Sequence, residues 1–451
     1  MACESIVTVH KGCASGNVRV PTSKSIAHRA LICAALAPHN MYSVISGVPY
    51  NDDIDATLDC LAALGVSVRT KKDPLDESSR EVTIGGCGGQ WQDGNREGSA
   101  LHCRESGSTL RFMLPLCLLT APERHFTGSV RLLQRPLDDY RALFSQREWQ
   151  QSETTLCIGQ GAPIAAQKHR LSGKSSSQFV TGLLFILPLL DGDSVIELEQ
   201  APESRSYIDM TLAVMARFGI RAAWDGATCI RVLGRQTYQA TNMTVDGDAS
   251  GAAFFHALAA LGASVTVSNA PQSDILQGDS VCTEHLQKMV KNSGELPIIS
   301  LSDCPDLGPI LFATATLCRG AIFTHTARLR LKESDRVAAM VSELSKFGAN
   351  ILTSDDAMDD KIKRSLPPEL QTLGDGTVCG GWVAVLPTPN GLHTPTELLN
   401  GHNDHRVVMS LSILCSLIGD GRITDAHAVC KSFPSFFDCM RALGIAVEGD
   451  I

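Results

Sequence analysis

One phrase recurs along this chain and restricts its fold more than any other feature. An amphipathic run ends in an apolar residue and a glycine, and alternating or β-branched residues follow. It stands at Leu64-Gly65-Val66-Ser67-Val68, Phe218-Gly219-Ile220, Leu261-Gly262-Ala263-Ser264-Val265, Phe347-Gly348-Ala349 and Leu443-Gly444-Ile445-Ala446-Val447. The glycine suits the left-handed position that closes a helix, and the residues after it enter a strand. Five such joints spread over 451 residues imply a repeated α/β unit. Their intervals are irregular and longer than solenoid periods, so two lobes of similar build fit better than a solenoid.

Apolar residues at helical spacing predict helices over 25–37, 53–64, 108–119, 137–144, 177–189, 208–218, 249–261, 283–290, 307–317, 335–347, 404–417 and 435–443. Several open on Ser or Asp, which cap helix N-termini well. The stretch 354–381, with Pro367-Pro368 inside it, reads as a surface excursion. Hydrophobic residues make up 44% of the chain, enough for real cores.

Charge and cysteine usage narrow the function classes. Lys and Arg number 39 against 48 Asp and Glu, a net charge of −9, which disfavours binding nucleic acid through its phosphates. An anionic ligand must then be held by local cationic clusters inside an acidic molecule. The 16 cysteines run from Cys3 to Cys439 with no CxxC pair. That spacing suits neither the usual zinc sites nor a small disulfide scaffold, and predicts reduced thiols in a cytosolic protein. The first twenty residues lack the apolar centre of a signal peptide. The longest uncharged stretch, 249–273, reads as a buried helix followed by a buried strand rather than as a bilayer span.

Three turns carry the groups that hold anions. Pro21-Thr22-Ser23-Lys24-Ser25 opens an apolar helix in which Ser25 and Arg29, four apart, share one face. Glu105-Ser106-Gly107-Ser108-Thr109 and Ser175-Ser176-Ser177-Gln178 open two more. Backbone N–H groups and the helix dipole attract phosphate or carboxylate at such ends. Read singly, each is an ordinary capped helix with solvated cations. Gly173-Lys174-Ser175 imitates a phosphate-binding P-loop but fails, because the glycine required five residues upstream is Lys168. Arg135, the run Lys332-Glu333-Ser334-Asp335-Arg336, Asp404-His405-Arg406 and Lys431 supply further charges. If a helix begins at Lys332, that residue and Arg336 lie on one face; the plain alternative is a solvated charge run. His402, Asp404 and His405 resemble metal donors, but no third region matches them, so no metal is expected.

The order of the pieces says more than any one of them. Lys24-Ser25 with Arg29, Gly107-Ser108-Thr109, Arg135-Pro136-Leu137, Ser176-Ser177-Gln178-Phe179, Ser204 with Tyr207-Ile208-Asp209, Gly247-Asp248-Ala249-Ser250, Pro305-Asp306-Leu307, Lys332 to Arg336, Asn403 to Arg406 and Lys431-Ser432-Phe433-Pro434 follow one another. This series resembles the 5-enolpyruvylshikimate-3-phosphate (EPSP) synthase family over about residues 18–449. The resemblance implies an α/β, two-lobed enolpyruvyl transferase fold. Each lobe would hold three βαβαββ units, with helix N-termini facing the interlobe cleft. The first lobe would span 24–244, and the second 1–23 plus 245–451.

It also implies a reaction: the enolpyruvyl group of phosphoenolpyruvate passes to the 5-hydroxyl of shikimate 3-phosphate, and phosphate leaves. Lys24, Gly107, Arg135, Gln178, Arg336, Arg406 and Lys431 would hold phosphoenolpyruvate. Ser25, Arg29, Ser176, Ser177, Gln178, Ser204, Tyr207, Asp306 and Lys332 would hold shikimate 3-phosphate. Asp306 would accept the hydroxyl proton and Glu333 would donate one, with Lys24 sharing the transfers. The resemblance calls for no cofactor, no nucleic acid and no membrane, and for a cytoplasmic monomer.

The chain departs from the family in places. Glu105 stands where many members have Asn, and Arg328 where some bring a substrate-binding Asn. Enolpyruvyl transfer to a UDP-sugar uses a loop cysteine before Arg-Pro; here that loop is Leu132-Leu133-Gln134, without a thiol. Two other functions compete: an enzyme of the RNA 3′-phosphate cyclase group, opposed by the net charge, and a non-catalytic anion-binding module, in which Asp306 and Glu333 would only repel the ligand.

Overall fold

The computed structural model describes residues 5–74, 78–91, 100–119, 123–172, 176–202, 204–271, 277–291, 295–356, 373 and 380–449. Gly173-Lys174-Ser175 and most of 354–381 lie outside these residues. The described chain forms two compact units, one of Pro21–Gly247 with Gln277, the other of the first twenty residues with Asp248–Pro271 and 278 onward. The crossings fall three residues outside 24 and 244 because Ser23 N donates to Asp246 O at 2.7 Å and Thr22 bridges Gly247, which ties 21–23 to that unit.

All five glycine joints are helix ends. Gly65, Gly219, Gly262, Gly348 and Gly444 have φ of 83°, 80°, 101°, 81° and 90°. At the first joint, Gly65 N donates to Ala62 O and Val66 N to Leu61 O, both at 3.0 Å. The same pair of bonds closes the other four helices, so each joint is a Schellman end that turns the chain from helix into strand.

The repeat is visible in the sheets. Leu101–His102 runs parallel to Arg124–Thr127, which pairs antiparallel with Thr155–Ile158, and that in turn with Trp149–Gln151. Lys168–Leu171, Ser194–Leu198, Cys229–Val232 and Ala222–Trp224 repeat the order. In the third sheet of this unit, Met243–Thr244 returns from the far end of the unit to lie parallel to Tyr42–Pro49. The other unit has the same sheet at Ile298–Ser300, Ala321–Thr324, Trp382–Leu386 and Asn350–Thr353. There the N-terminal strand Val7–Val9 completes a second, pairing antiparallel with Gly421–Ile423 and Val447–Glu448. Ser15–Val18 pairs in parallel with Ser264–Val267.

A parallel pair needs a crossover, and Gly107–Cys117, Ser177–Ile186 and Gly308–Leu317, helices buried on nearly every side, supply it within their sheets. Lys24–Ala35, Gly107–Cys117 and Ser177–Ile186 fill the core of one unit; Ala249–Ala260, Gly308–Leu317 and His405–Ile418 fill that of the other. Such helices are buried nearly all round, whereas Asp52–Ala63, Arg205–Arg217 and Arg336–Ser345 bury one face only. Gly182 shows how close the inner helices come: a Cβ there would lie 2.2 Å from Tyr140 Oη and 2.5 Å from Arg111 O. The strand Ser264–Val267 differs from the expected buried strand, because only Val265 is fully buried, with Val267 half-buried on the same face and Ser264 and Thr266 exposed. Among the described residues no helix is long and apolar enough to cross a membrane.

Candidate active site

In the unit of Pro21–Gly247 the inner helices begin within one residue of the predicted starts. Lys24 is the first residue of its helix, and its ammonium pairs with Asp53 at 2.7 Å. Asp53 also accepts from Thr109 Oγ1 through its carbonyl, at 3.2 Å, which joins the helix starts at Lys24 and Gly107. Below them His28 Nδ1 and Thr57 Oγ1 lie 2.7 Å apart, and Thr57 contacts Thr109 at 2.8 Å. Burial pushes His28 down to about 3, so it stays neutral there.

Arg29 is buried and bound only by neutral groups. Its Nε donates to Thr211 Oγ1 at 2.8 Å, Nη1 to Ser25 O at 2.7 Å, and Nη2 to Tyr207 O at 3.0 Å. Among the described residues no carboxylate pairs with it. Burial pulls its ionisation down to about 10, the mark of a cation held without its counter-charge. Ser204, also buried, takes the left-handed conformation (φ 57°) just before Arg205–Arg217, and its carbonyl accepts from Tyr207 N at 3.1 Å. Ser25, Arg29, Ser204 and Tyr207 therefore form one connected cluster.

Gly107 opens its helix against a second cluster. A Cβ there would lie 2.6 Å from Arg135 Nη1 and 3.0 Å from Arg111 Nη1. Arg111 donates to Gln178 Oε1 at 3.0 Å, and Gln178 Nε2 to Ser108 Oγ at 2.9 Å. Ser176 caps the third inner helix, accepting from Gln178 N at 3.4 Å, and Ser177 is its buried first residue.

The other unit concentrates charge. Asp306, in the turn Pro305–Leu307, receives Arg336 Nη1 at 2.8 Å and Lys332 Nζ at 3.2 Å on Oδ1, and Arg406 Nη2 at 3.4 Å on Oδ2. Arg406 Nη1 donates to the Asp306 carbonyl at 2.9 Å. Arg336, 1% exposed, also donates from Nη2 to Glu333 Oε2 at 2.7 Å and from Nε to Asp404 Oδ2 at 2.9 Å. Burial alone would lower its ionisation; Asp404, Glu333 and Asp306 outweigh that and hold it above the ordinary value. Burial likewise works to raise Asp404, but Arg336 keeps that carboxyl below its usual range. Lys332 is lowered by burial, with Asp306 opposing. Lys431 Nζ reaches Asn403 O at 2.6 Å, beside Asp404.

One expectation changes here. The helix begins at Arg336, with Asp335 Oδ1 accepting from Ala338 N at 3.0 Å, so Lys332 precedes it. Lys332 and Arg336 meet on Asp306 instead of along a helical face. The donors His402, Asp404 and His405 do not assemble either. Asp404 is taken by Arg336 and caps His405–Ile418, while His402 Nε2 faces Glu343 at 3.3 Å. Among the described residues a different set, Glu123, His125 and Cys157, lies within 4.8 Å of one another; His125 Nε2 pairs there with Glu123 at 2.7 Å.

Residues 10–440 match the family described as EPSP synthase (3-phosphoshikimate 1-carboxyvinyltransferase). A 3-phosphoshikimate 1-carboxyvinyltransferase of Clostridium beijerinckii is 33% identical over 458 residues, covering 97% of each chain. The chain belongs to the EPSP synthase family. A relative of the same name from Clostridium botulinum is 34% identical over 455 residues, covering 97% of this chain and 96% of its own. The solved EPSP synthase of Acinetobacter baumannii has a TM-score of 0.73 at 21% identity, covering 99% of this chain and all of that one, which shows the two-lobed fold.

Several groups that hold the clusters of each unit together escape sequence reading in this EPSP synthase family member. Asp53 is the partner of Lys24 from 29 residues away, and Thr181 and Thr211 line Arg29 from separate helices. Nothing local in the sequence marks them. Asp404 carries a signal, an Asp opening an apolar helix, but its role as counter-ion of Arg336 needs the fold.

Proposed function

We infer that this chain is a 3-phosphoshikimate 1-carboxyvinyltransferase, which moves the enolpyruvyl group of phosphoenolpyruvate onto the 5-hydroxyl of shikimate 3-phosphate in aromatic amino acid biosynthesis. The observation that carries the reading is the coupling of Asp306 and Glu333 to Lys332, Arg336 and Arg406 in one unit, together with the unbalanced Arg29 and the Gly107–Arg135 approach in the other. Phosphoenolpyruvate carries both a phosphate and a carboxylate, and Arg forks suit such oxyanions. Lys24, Gly107, Arg135, Gln178, Arg336, Arg406 and Lys431 hold it in this reading. Shikimate 3-phosphate lies on Ser25, Arg29, Ser176, Ser177, Gln178, Ser204, Tyr207, Asp306 and Lys332, where Arg29 gains the anion it lacks.

Without substrate, three cations neutralise Asp306. Substrate anions compete for those cations and release the carboxylate to act on the 5-hydroxyl. The hydroxyl oxygen attacks C2 of phosphoenolpyruvate as its proton passes to Asp306 and C3 gains a proton from Glu333. Loss of a methyl proton then expels phosphate and restores the double bond. Lys24, beside Asp53, shares in these transfers. We read the protein as a cytosolic monomer that needs no cofactor. Phosphate release from phosphoenolpyruvate tests the proposal: it is expected only when shikimate 3-phosphate is present. Binding of both compounds without release would overturn it.

A further inference from the structure

Asp279 is a carboxyl that the reaction above leaves unused. It lies in the turn Gly278–Val281 and is 2% exposed. Ser250 Oγ donates to its Oδ2, while Oδ1 is buried with no hydrogen-bond partner. A buried carboxylate with one oxygen unsatisfied is costly, and taking up a proton relieves it. The turn packs on the helix Ala249–Ala260, and so does the turn Pro305–Leu307 that carries Asp306. The charged groups that bear on Asp279 are Asp306, Arg406 and Asp248. Cys282 and Cys304 also lie near it, but burial keeps both thiols neutral. Burial, with Asp306 next, pushes Asp279 up to about 7 against the pull of Arg406. It therefore divides between acid and carboxylate near neutral pH, with Arg406 favouring the carboxylate.

We propose that Asp279 is a positioning residue of the transfer, which takes up a proton from solvent when anions settle on Arg406 and so leaves Asp306 as the ionised acid of the pair. This rests on the enolpyruvyl-transfer reading. An anion on Arg406 cancels the charge that favoured the Asp279 carboxylate; the proton then prevents two carboxylates and a substrate anion from meeting across one guanidinium.

Calorimetry tests it. Phosphate, the leaving group, is titrated into protein saturated with shikimate 3-phosphate at pH 7.5, in buffers of low and high ionisation enthalpy. The phosphate's own protonation is common to all variants, so differences between them belong to the protein. Wild type should take up as much as about 0.75 proton more per site than Asp279→Asn, the fraction of a group near 7 that is ionised at this pH. Ser250→Ala removes the bond that favours the carboxylate and should also take up fewer protons than wild type, which keeps the test open if Asp279→Asn fails to fold. Above pH 7 the KM for phosphoenolpyruvate should climb in wild type and stay level in Asp279→Asn. Equal proton uptake in all three proteins would overturn the role of Asp279. The parent reading is judged separately, by phosphate release from wild type: release with equal uptake sinks only this proposal.

Discussion

Asp404→Asn isolates the buried pair that holds Arg336. Asp404 is fully buried, accepts from Arg336 Nε and Nη2 at 2.9 and 3.3 Å, and caps His405–Ile418 by accepting from Arg406 N at 2.9 Å. Removing one partner of a buried pair costs about 3–5 kcal/mol. Asn keeps an oxygen for the cap, which spares about 1 kcal/mol, and Asp306 and Glu333 still balance part of the Arg336 charge. The net loss should be about 2–3 kcal/mol, or about 30- to 150-fold faster hydrogen exchange. The effect is expected in Gly308–Leu317 and His405–Ile418. Gly107–Cys117 and Ser177–Ile186, in the other unit, serve as the internal control. Asp404 ionises below the usual carboxylate range, so its stabilisation is complete above that range and fades as pH falls through its folded value. Protection in wild type should therefore drop on acidification below about pH 4 more steeply than in the variant. Less than about a fivefold change, or equal change in both units, would refute the reasoning.

Three further variants address the chemistry. Glu333→Gln should lower turnover by about 10²- to 10⁴-fold with little change in shikimate 3-phosphate affinity; equal loss of both would remove the acid role. Arg29→Met should abolish shikimate 3-phosphate binding while leaving the melting temperature of the free protein unchanged or higher. The folded ionisation of Arg29 is depressed to about 10, so its charge opposes folding at neutral pH and that penalty disappears only as pH rises past this value. A clear drop in melting temperature would contradict that sign. Gly107→Ala should raise the KM for phosphoenolpyruvate about tenfold, as for one lost charge-assisted contact, because the methyl must displace the Arg135 guanidinium end. The same variant should unfold at the wild-type urea concentration, since only flexible side-chain ends give way.

Much of the fold was legible because its signals are local. The glycine joints need a left-handed residue at each helix end, and periodic apolar residues placed all twelve expected helices to within a few residues of their observed ends. What stayed hidden depends on the third dimension. The short helix Val130–Leu133 is too brief to show periodicity. Val7–Val9 joins a sheet made by the far end of the chain, a pairing no local pattern announces. Among the proposed substrate-binding residues, Lys24, Arg29, Gly107 and Arg336 stood out as charges or small residues at helix starts, but Asp53, Thr181, Thr211 and Asp279 are ordinary residues until packing sets them beside a cation or another acid.

Isotope labelling of the product bears most closely on the claim that Asp306 and Glu333 add a hydroxyl across the double bond of phosphoenolpyruvate and then undo that addition. In heavy water, mass spectrometry of the shikimate-derived product should find the vinyl ether carrying deuterium on its methylene carbon, at a rate that falls with Glu333→Gln. A product without deuterium, or pyruvate and phosphate in place of the ether, would contradict it.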